Sequence, residues 1–257
     1  MKTTPGPIAL LVSSWSLFKA YWKPFVAIAG AASLVLYVGQ IFLSAQGLLP
    51  ETIGAILTIA GGILSIALQP ALITAVQKAC IDPTARLSFV EQYKNGFRFF
   101  WPMLGLAILH GIIIVGGVMA FLIPAIIVEG YTCMYVFTRV VDGSKGLAAF
   151  TESYTIVKGR WWGTVGRMLF MAAIYGVFSI VVVGILFLIG QAAGFSPNSP
   201  GAEPFSGILN LVLNSFMMPL GFVYFYGLYA SLKATRQQGV ATAGFRKWLI
   251  FFIVVTC

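Results

Sequence analysis

Apolar residues along this chain fall in six long runs, and short segments between them hold nearly all of the charge. The runs cover residues 25–48, 52–77, 99–123, 125–141, 162–190 and 205–232. Most reach the roughly 20 residues that an α-helix needs to cross a hydrocarbon core of about 30 Å. Strands of a membrane barrel would instead alternate over about 10 residues. The pattern therefore predicts an all-α polytopic membrane protein with six transmembrane helices in residues 1–235. A last run, 248–257, is too short to cross, and ends a basic segment, 236–257. Either an interfacial tail or the stub of a longer chain fits it.

Ahead of the first, third and fifth runs the pattern changes. Leu11, Trp15, Phe18 and Trp22 recur every three or four positions, and Val90, Phe97 and Trp101 keep the same helical register. Leu147, Phe150, Tyr154, Val157 and Trp161 form the clearest stripe. One apolar stripe on a polar helix predicts an interfacial helix lying on the membrane and feeding the span behind it. Aligned on their tryptophans, the three segments share a cation three positions earlier: Lys19 before Trp22, Arg98 before Trp101, Lys158 before Trp161. These pairs are expected to anchor each span start at headgroup depth. Asp82 and Asp142 each stand 19 positions before their tryptophan, with Thr3 in that place in the first copy, and are expected to cap the interfacial helices. The units, 3–78, 82–141 and 142–235, then read as three parallel repeats of interfacial helix plus helical hairpin, related by an axis along the membrane normal.

Composition agrees: 59% of residues are hydrophobic and 9% charged, with a mean hydropathy of +0.94, where a soluble domain carries about 25% charged residues. The net charge of +9 matters through its placement. All 16 Lys and Arg lie in four stretches: Lys2 to Lys23, Lys78 to Arg98, Arg139 to Arg167, and Lys233 to Lys247. The alternate loops near Pro50, Pro124 and Pro200 hold none. The positive-inside rule then puts both termini and both long internal loops in the cytoplasm, in an inner membrane. The start shows no signal-peptide pattern. Anionic headgroups on the cytoplasmic face are the expected partners, each basic residue near the surface being worth about 1 kcal/mol, together with a membrane or cytoplasmic protein. Nucleic acid is not expected, because no soluble basic module is present.

Candidate chemistry is sparse. Cys80, Cys133 and Cys257 show no metal or disulfide spacing, and there is one histidine, so no metal or cofactor is expected. No GxSxG, HExxH or P-loop text occurs, and no catalytic residue is assigned. The polar residues within the spans are His110, Glu129, Asn210 and Asn214, with Gln69 beside Pro70. An ionisable group there is a functional candidate by default, and Glu129 could take a proton or a cationic group. The plainer reading makes the Asn pair interhelical glue, worth about 0.6 kcal/mol per hydrogen bond, and His110 a packing residue. Two functions follow: a non-catalytic envelope scaffold or partner subunit, or a transporter or lipid-handling protein with a pathway between the repeats. Convergence of the four residues on one cavity would favour the second.

The stretch from Asp142 to Trp162, with Ile123-Pro124-Ala125-Ile126 before it, resembles a family of uncharacterised six-span bacterial membrane proteins. That group is related to the membrane domain fused to some glycerophosphoryl diester phosphodiesterases. Ala149, Ser153, Lys158, Gly159 and Trp162 match its text, and Pro219-Leu220 with Gly227-Leu228-Tyr229 is similar to its last span. The resemblance implies a fold and a membrane location. The catalytic barrel has no counterpart in these 257 residues, so it implies no reaction. On this topology, impermeant thiol labelling reaches cysteines placed near Pro50 and Ser199 from outside and at Lys145 only from inside.

Overall fold

The computed structural model describes residues 4–45, 47–120, 122–192, 202–236 and 239–256. The Thr3 position, most of the Gly/Ser/Pro/Asn loop around Ser199 and Cys257 lie outside them. The described residues are all-α, without a strand.

The centre is built from three long helices: α1 (Pro7–Ser44), α2 (Leu48–Ile81) and α9 (Ala202–Ala234). Pro7 starts α1, where its missing N–H costs nothing. The expected first interfacial helix and first span form this one helix, interrupted at Tyr21 (φ −124°, ψ 23°). Pro24 is the cause: it has no N–H to give the carbonyl four residues back, and its ring presses on that turn. The Tyr21 hydroxyl donates to the Pro83 carbonyl at 2.6 Å, tying the kink to the end of α2. α1 and α2 run antiparallel and very close. A Cβ on Gly61 would stand 2.6 Å from Leu36 Cγ, so any larger residue would wedge the pair apart. α9 lies along the other side of α1, with Gly30 against Ser215 and Leu10 beside Gly227. Phe25, Ile28, Ile73, Val76, Tyr224 and Leu228 are fully buried between these helices.

Smaller helices gather round this centre. α3 (Phe89–Arg98) stands against α2, Gly96 seated on Ala67 and Ala71, and Tyr93 donates to the Ile28 carbonyl at 2.7 Å. α4 (Phe100–Ala120) and α5 (Leu122–Thr132) form a tight hairpin with Gly117 against Ala125. α6 (Tyr135–Val141) and α7 (Leu147–Val157) follow. α8 (Trp161–Ala192) touches α9 near its start, where the Tyr224 hydroxyl donates to the Arg167 carbonyl at 3.2 Å. Beyond Met171 most of its large side chains, Val177, Ile180 and Leu188 among them, are exposed, as lipid-facing positions are. α10 (Ala243–Thr256) packs antiparallel on α4, where Gly116 admits the backbone at Phe252 and Thr256 donates to the Ile112 carbonyl at 3.0 Å. The short terminal run thus belongs to the fold as a partner of α4.

Five of the described helices are long and apolar enough to cross a membrane: Pro7–Ser44, Leu48–Ile81, Phe100–Ala120, Trp161–Ile189 and Asn210–Ala234. The chain is a membrane protein on that ground. The run expected as the fourth span is divided at Cys133 and Met134 into α5 and α6, neither long enough to cross alone. The turn near Pro124 also departs from expectation. Ile123 shares a groove with Arg160, Trp161 and Trp162, and Pro124 shares another with Gly244, Phe245 and Trp248. The sequence-based topology sets Ile123 and Arg160 on opposite faces of a core about 30 Å thick. Side chains lining one groove cannot be so far apart.

The alignment on tryptophan does locate the helix interruptions. They fall at Tyr21, at Phe99, and across Lys158 to Arg160, each one to three positions before Trp22, Trp101 or Trp161. Environments at matched positions differ, however. Phe18 and Val157 are buried while Phe97 is exposed, and Phe150 is buried while Val90 is exposed. Val90 and Phe97 face outward from α3 and Trp101 from the start of α4, while Gln92, Tyr93 and Gly96 face the protein. Single cysteines at Leu122 and Trp162, both exposed, in a chain with its native cysteines replaced, should react with impermeant maleimide from the same side. Reaction from opposite sides would restore the full crossing.

Candidate functional site

The densest polar architecture surrounds α7, the segment expected to lie on the membrane surface. Its inner face is instead covered by protein: Ala149, Phe150, Ile156 and Val157 are fully buried. The reason lies in the gap between α5 and α6. Where a helix stops, its last carbonyls and the next N–H groups lose their partners. Ser153 supplies both. Its hydroxyl donates to the Tyr131 carbonyl at 2.7 Å and accepts from the Met134 N–H at 3.1 Å. One turn earlier, Thr138 on α6 donates to the Ala149 carbonyl at 2.9 Å. The motif residues Ala149 and Ser153 are therefore a packing signature, and Gly159 (φ +81°) makes the left-handed turn that separates α7 from α8.

Charges clamp the same region to the end of α9. Asp142, expected as a cap, caps no helix start: α7 begins after Gly146, with no side-chain cap. Its carboxylate, 14% exposed, accepts from the Tyr229 hydroxyl at 2.6 Å and pairs with Lys233. Glu152 pairs with Arg236, and Arg160 donates to the side chain and carbonyl of Thr235. Asp82 also caps no helix start. Its N–H closes α2 on the Lys78 carbonyl, and its carboxylate accepts from Thr84 N–H at 2.9 Å in a local turn. That hydrogen bonding holds the Asp82 carboxyl below its ordinary range. α3 starts after Ser88 instead. Both aspartates were misplaced for one reason: a Pro or Gly after Asp marks a turn as readily as a helix start.

The expected anchors divide. Lys19, Trp22, Arg98 and Trp101 are exposed, with Trp101 at 76%. Trp161 is half-buried, and its indole N–H donates to the Ile127 carbonyl at 3.1 Å over the bare backbone of Gly130. It fastens α8 to α5, and its neighbour Trp162 is the exposed one. Lys158 lies over the Tyr154 ring at 5.4 Å.

The four polar candidates form two pairs. His110 Nε2 is 3.0 Å from Glu129 Oε2 across the α4–α5 hairpin and 3.3 Å from Thr132 Oγ1, its ring stacked on Phe150. The ring is mostly covered and the carboxylate about half exposed. Asn214 donates to the Asn210 carbonyl at 2.9 Å, one turn apart on α9. Both line a cavity of about 260 Å³ with Ser33, Tyr37 and Gln40 of α1. That cavity includes neither His110 nor Glu129. Among the described residues no three His, Cys, Asp or Glu side chains gather as a metal site. Tyr229 was named only within the text of the last span, and Thr138 was not singled out from sequence. Lys233 one turn after Tyr229 was the available signal for the first, and Thr138 had none. Comparison of the chain with family models, curated proteins and solved structures returns no match.

Removing the Ser153 hydroxyl leaves a buried carbonyl and a buried N–H unpaired. Ser153→Ala should therefore destabilise the protein by about 2 kcal/mol, read as a lower thermal midpoint in detergent. Tyr229→Phe should cost less, because Asp142 keeps Lys233.

Proposed function

We propose that the chain is a non-catalytic integral protein of the cytoplasmic membrane, an envelope scaffold or partner subunit held against anionic lipid by its basic residues. On this reading both termini and the long internal loops are cytoplasmic. Helices α1, α2, α8 and α9 cross the bilayer, and the α4–α5 hairpin dips in from the cytoplasmic side. The three units share helix, interruption, tryptophan and apolar helix, and the middle one differs in having a hairpin that turns back. Likeness to the six-span family is part of this reading. Its shared text falls on residues that join α7 to α5, α6 and α8.

The observation that carries the proposal is the separation of the polar residues. A transport pathway, the alternative, would use Glu129, His110, Asn210 and Asn214 together. Instead His110 and Glu129 bond to each other, and the Asn pair faces α1. Exposed Lys19, Lys23, Lys94 and Arg98 offer charge to anionic headgroups, and the nearby Glu91 is engaged by Lys78 at 3.1 Å.

Glu129→Gln should leave the lipids and proteins that co-purify with the chain unchanged. Lys19→Gln with Lys23→Gln and Arg98→Gln should lower the enrichment of phosphatidylglycerol over phosphatidylcholine several-fold. Proton or solute flux in proteoliposomes, lost on Glu129→Gln, would overturn the scaffold in favour of the transporter.

A further inference from the structure

Two open grooves run along the sides of α5. The first, about 660 Å³, has Ile123, Ile126 and Ile127 on one wall and Arg160, Trp161 and Trp162 on the other. The second, about 430 Å³, lies between α5, Tyr154 and the aromatic face of α10, Phe245, Trp248 and Phe252. Ile127 and Tyr131 line both. The grooves are therefore neighbours that share one ridge.

Their chemistry is that of a hydrocarbon slot with a cation at its edge. Ile123, Ile126 and Trp162 are exposed, Trp162 at 82%, which suits contact with acyl chains and not with water. Arg160 has five N–H donors. Thr235 takes two of them, leaving donors to meet an anion in the fork geometry that matches phosphate. The second groove is lined by apolar and aromatic side chains, and the exposed Arg246 and Lys247 follow its lining residue Phe245 along α10. Two apolar slots that share one ridge, with the Arg160 cation lining the first, match a molecule with two chains and one negative head.

We infer that α5 is the seat of a single anionic diacyl phospholipid, one acyl chain in each groove and the phosphate at Arg160. This rests on the proposed anionic-lipid contact and narrows it to one site. The seat explains why a hairpin with so apolar a tip carries a bare ridge beside a basic turn: lipid completes the surface that protein leaves open.

The test is native mass spectrometry of the purified full chain, titrated with phosphatidylglycerol or phosphatidylcholine of matched chains. Wild type should hold one phosphatidylglycerol about tenfold more tightly than phosphatidylcholine. Ile126→Trp, which fills the first groove from an exposed position, should lose that binding, and Arg160→Gln should erase the preference for phosphatidylglycerol. Lys19→Gln with Lys23→Gln, on another face, should leave the single tight lipid in place. Groove variants that stay helical by circular dichroism yet keep the tight lipid would overturn the seat. If they keep it while the Lys19 and Lys23 variant sheds lipid, the seat fails and the broader lipid contact stands. Equal binding of phosphatidylcholine, lost on Ile126→Trp, would overturn the anionic assignment.

Discussion

Backbone groups released where a helix is interrupted must find new partners, because hydrocarbon offers none and each unpaired group costs several kcal/mol. The structure around α5 follows from that constraint. The helix stops at Thr132, α6 starts at Tyr135, and the freed Tyr131 carbonyl and Met134 N–H are both served by Ser153. To reach them α7 must lie flat on the break, which buries Phe150 under His110 and brings Glu152 to Arg236. Gly159 then turns the chain, and Trp161 donates back to α5. One hydroxyl thus sets the position of four helices.

The centre of the molecule is held differently. α1, α2 and α9 meet through bare backbone and fully buried side chains, where close approach multiplies weak dispersion contacts. Polar groups there are few and local. At the periphery the reverse holds. Charged pairs and side chain to backbone bonds fasten α3, α6 and α7 to the ends of α2 and α9. The Asp142 pair, with its carboxylate largely covered, contributes more than the Lys78–Glu91 pair. That second pair is about half exposed on both sides and so is worth under about 1 kcal/mol.

Legibility in the sequence tracked what kind of force was at work. Long apolar runs announce their helices because burial in lipid is additive along a helix, and α1, α2, α4, α8 and α9 were readable in that way. Interruptions ahead of the three tryptophans were readable too, because each amphipathic stripe ends there. The break at Cys133 was not, since no Pro or Gly stands at it and its support comes from Ser153, 20 positions on. Charge counting alone does not place the Pro124 turn, because an absence of Lys and Arg describes a dipping hairpin as well as an outer loop. Asp142 carried a true signal with the wrong partner, for its mate, Tyr229, lies 87 residues away. Of the site, the pairing of His110 with Glu129 was suspected only as a loose cluster, and α10 as its neighbour not at all.

The dependence of α5 on later segments has a consequence for synthesis. Ser153 emerges 19 residues after Met134, a delay of roughly one to four seconds at about 5–20 residues per second. Tyr229 follows 76 residues after Ser153, and α10 starts 90 residues after it. Until Ser153 emerges the Tyr131 carbonyl and the Met134 N–H at the break stand without that partner, and until α10 emerges the apolar tip stands uncovered on that side. The hairpin is thus the nascent chain's most exposed guest, and the order in which its helpers arrive is part of how this fold is made.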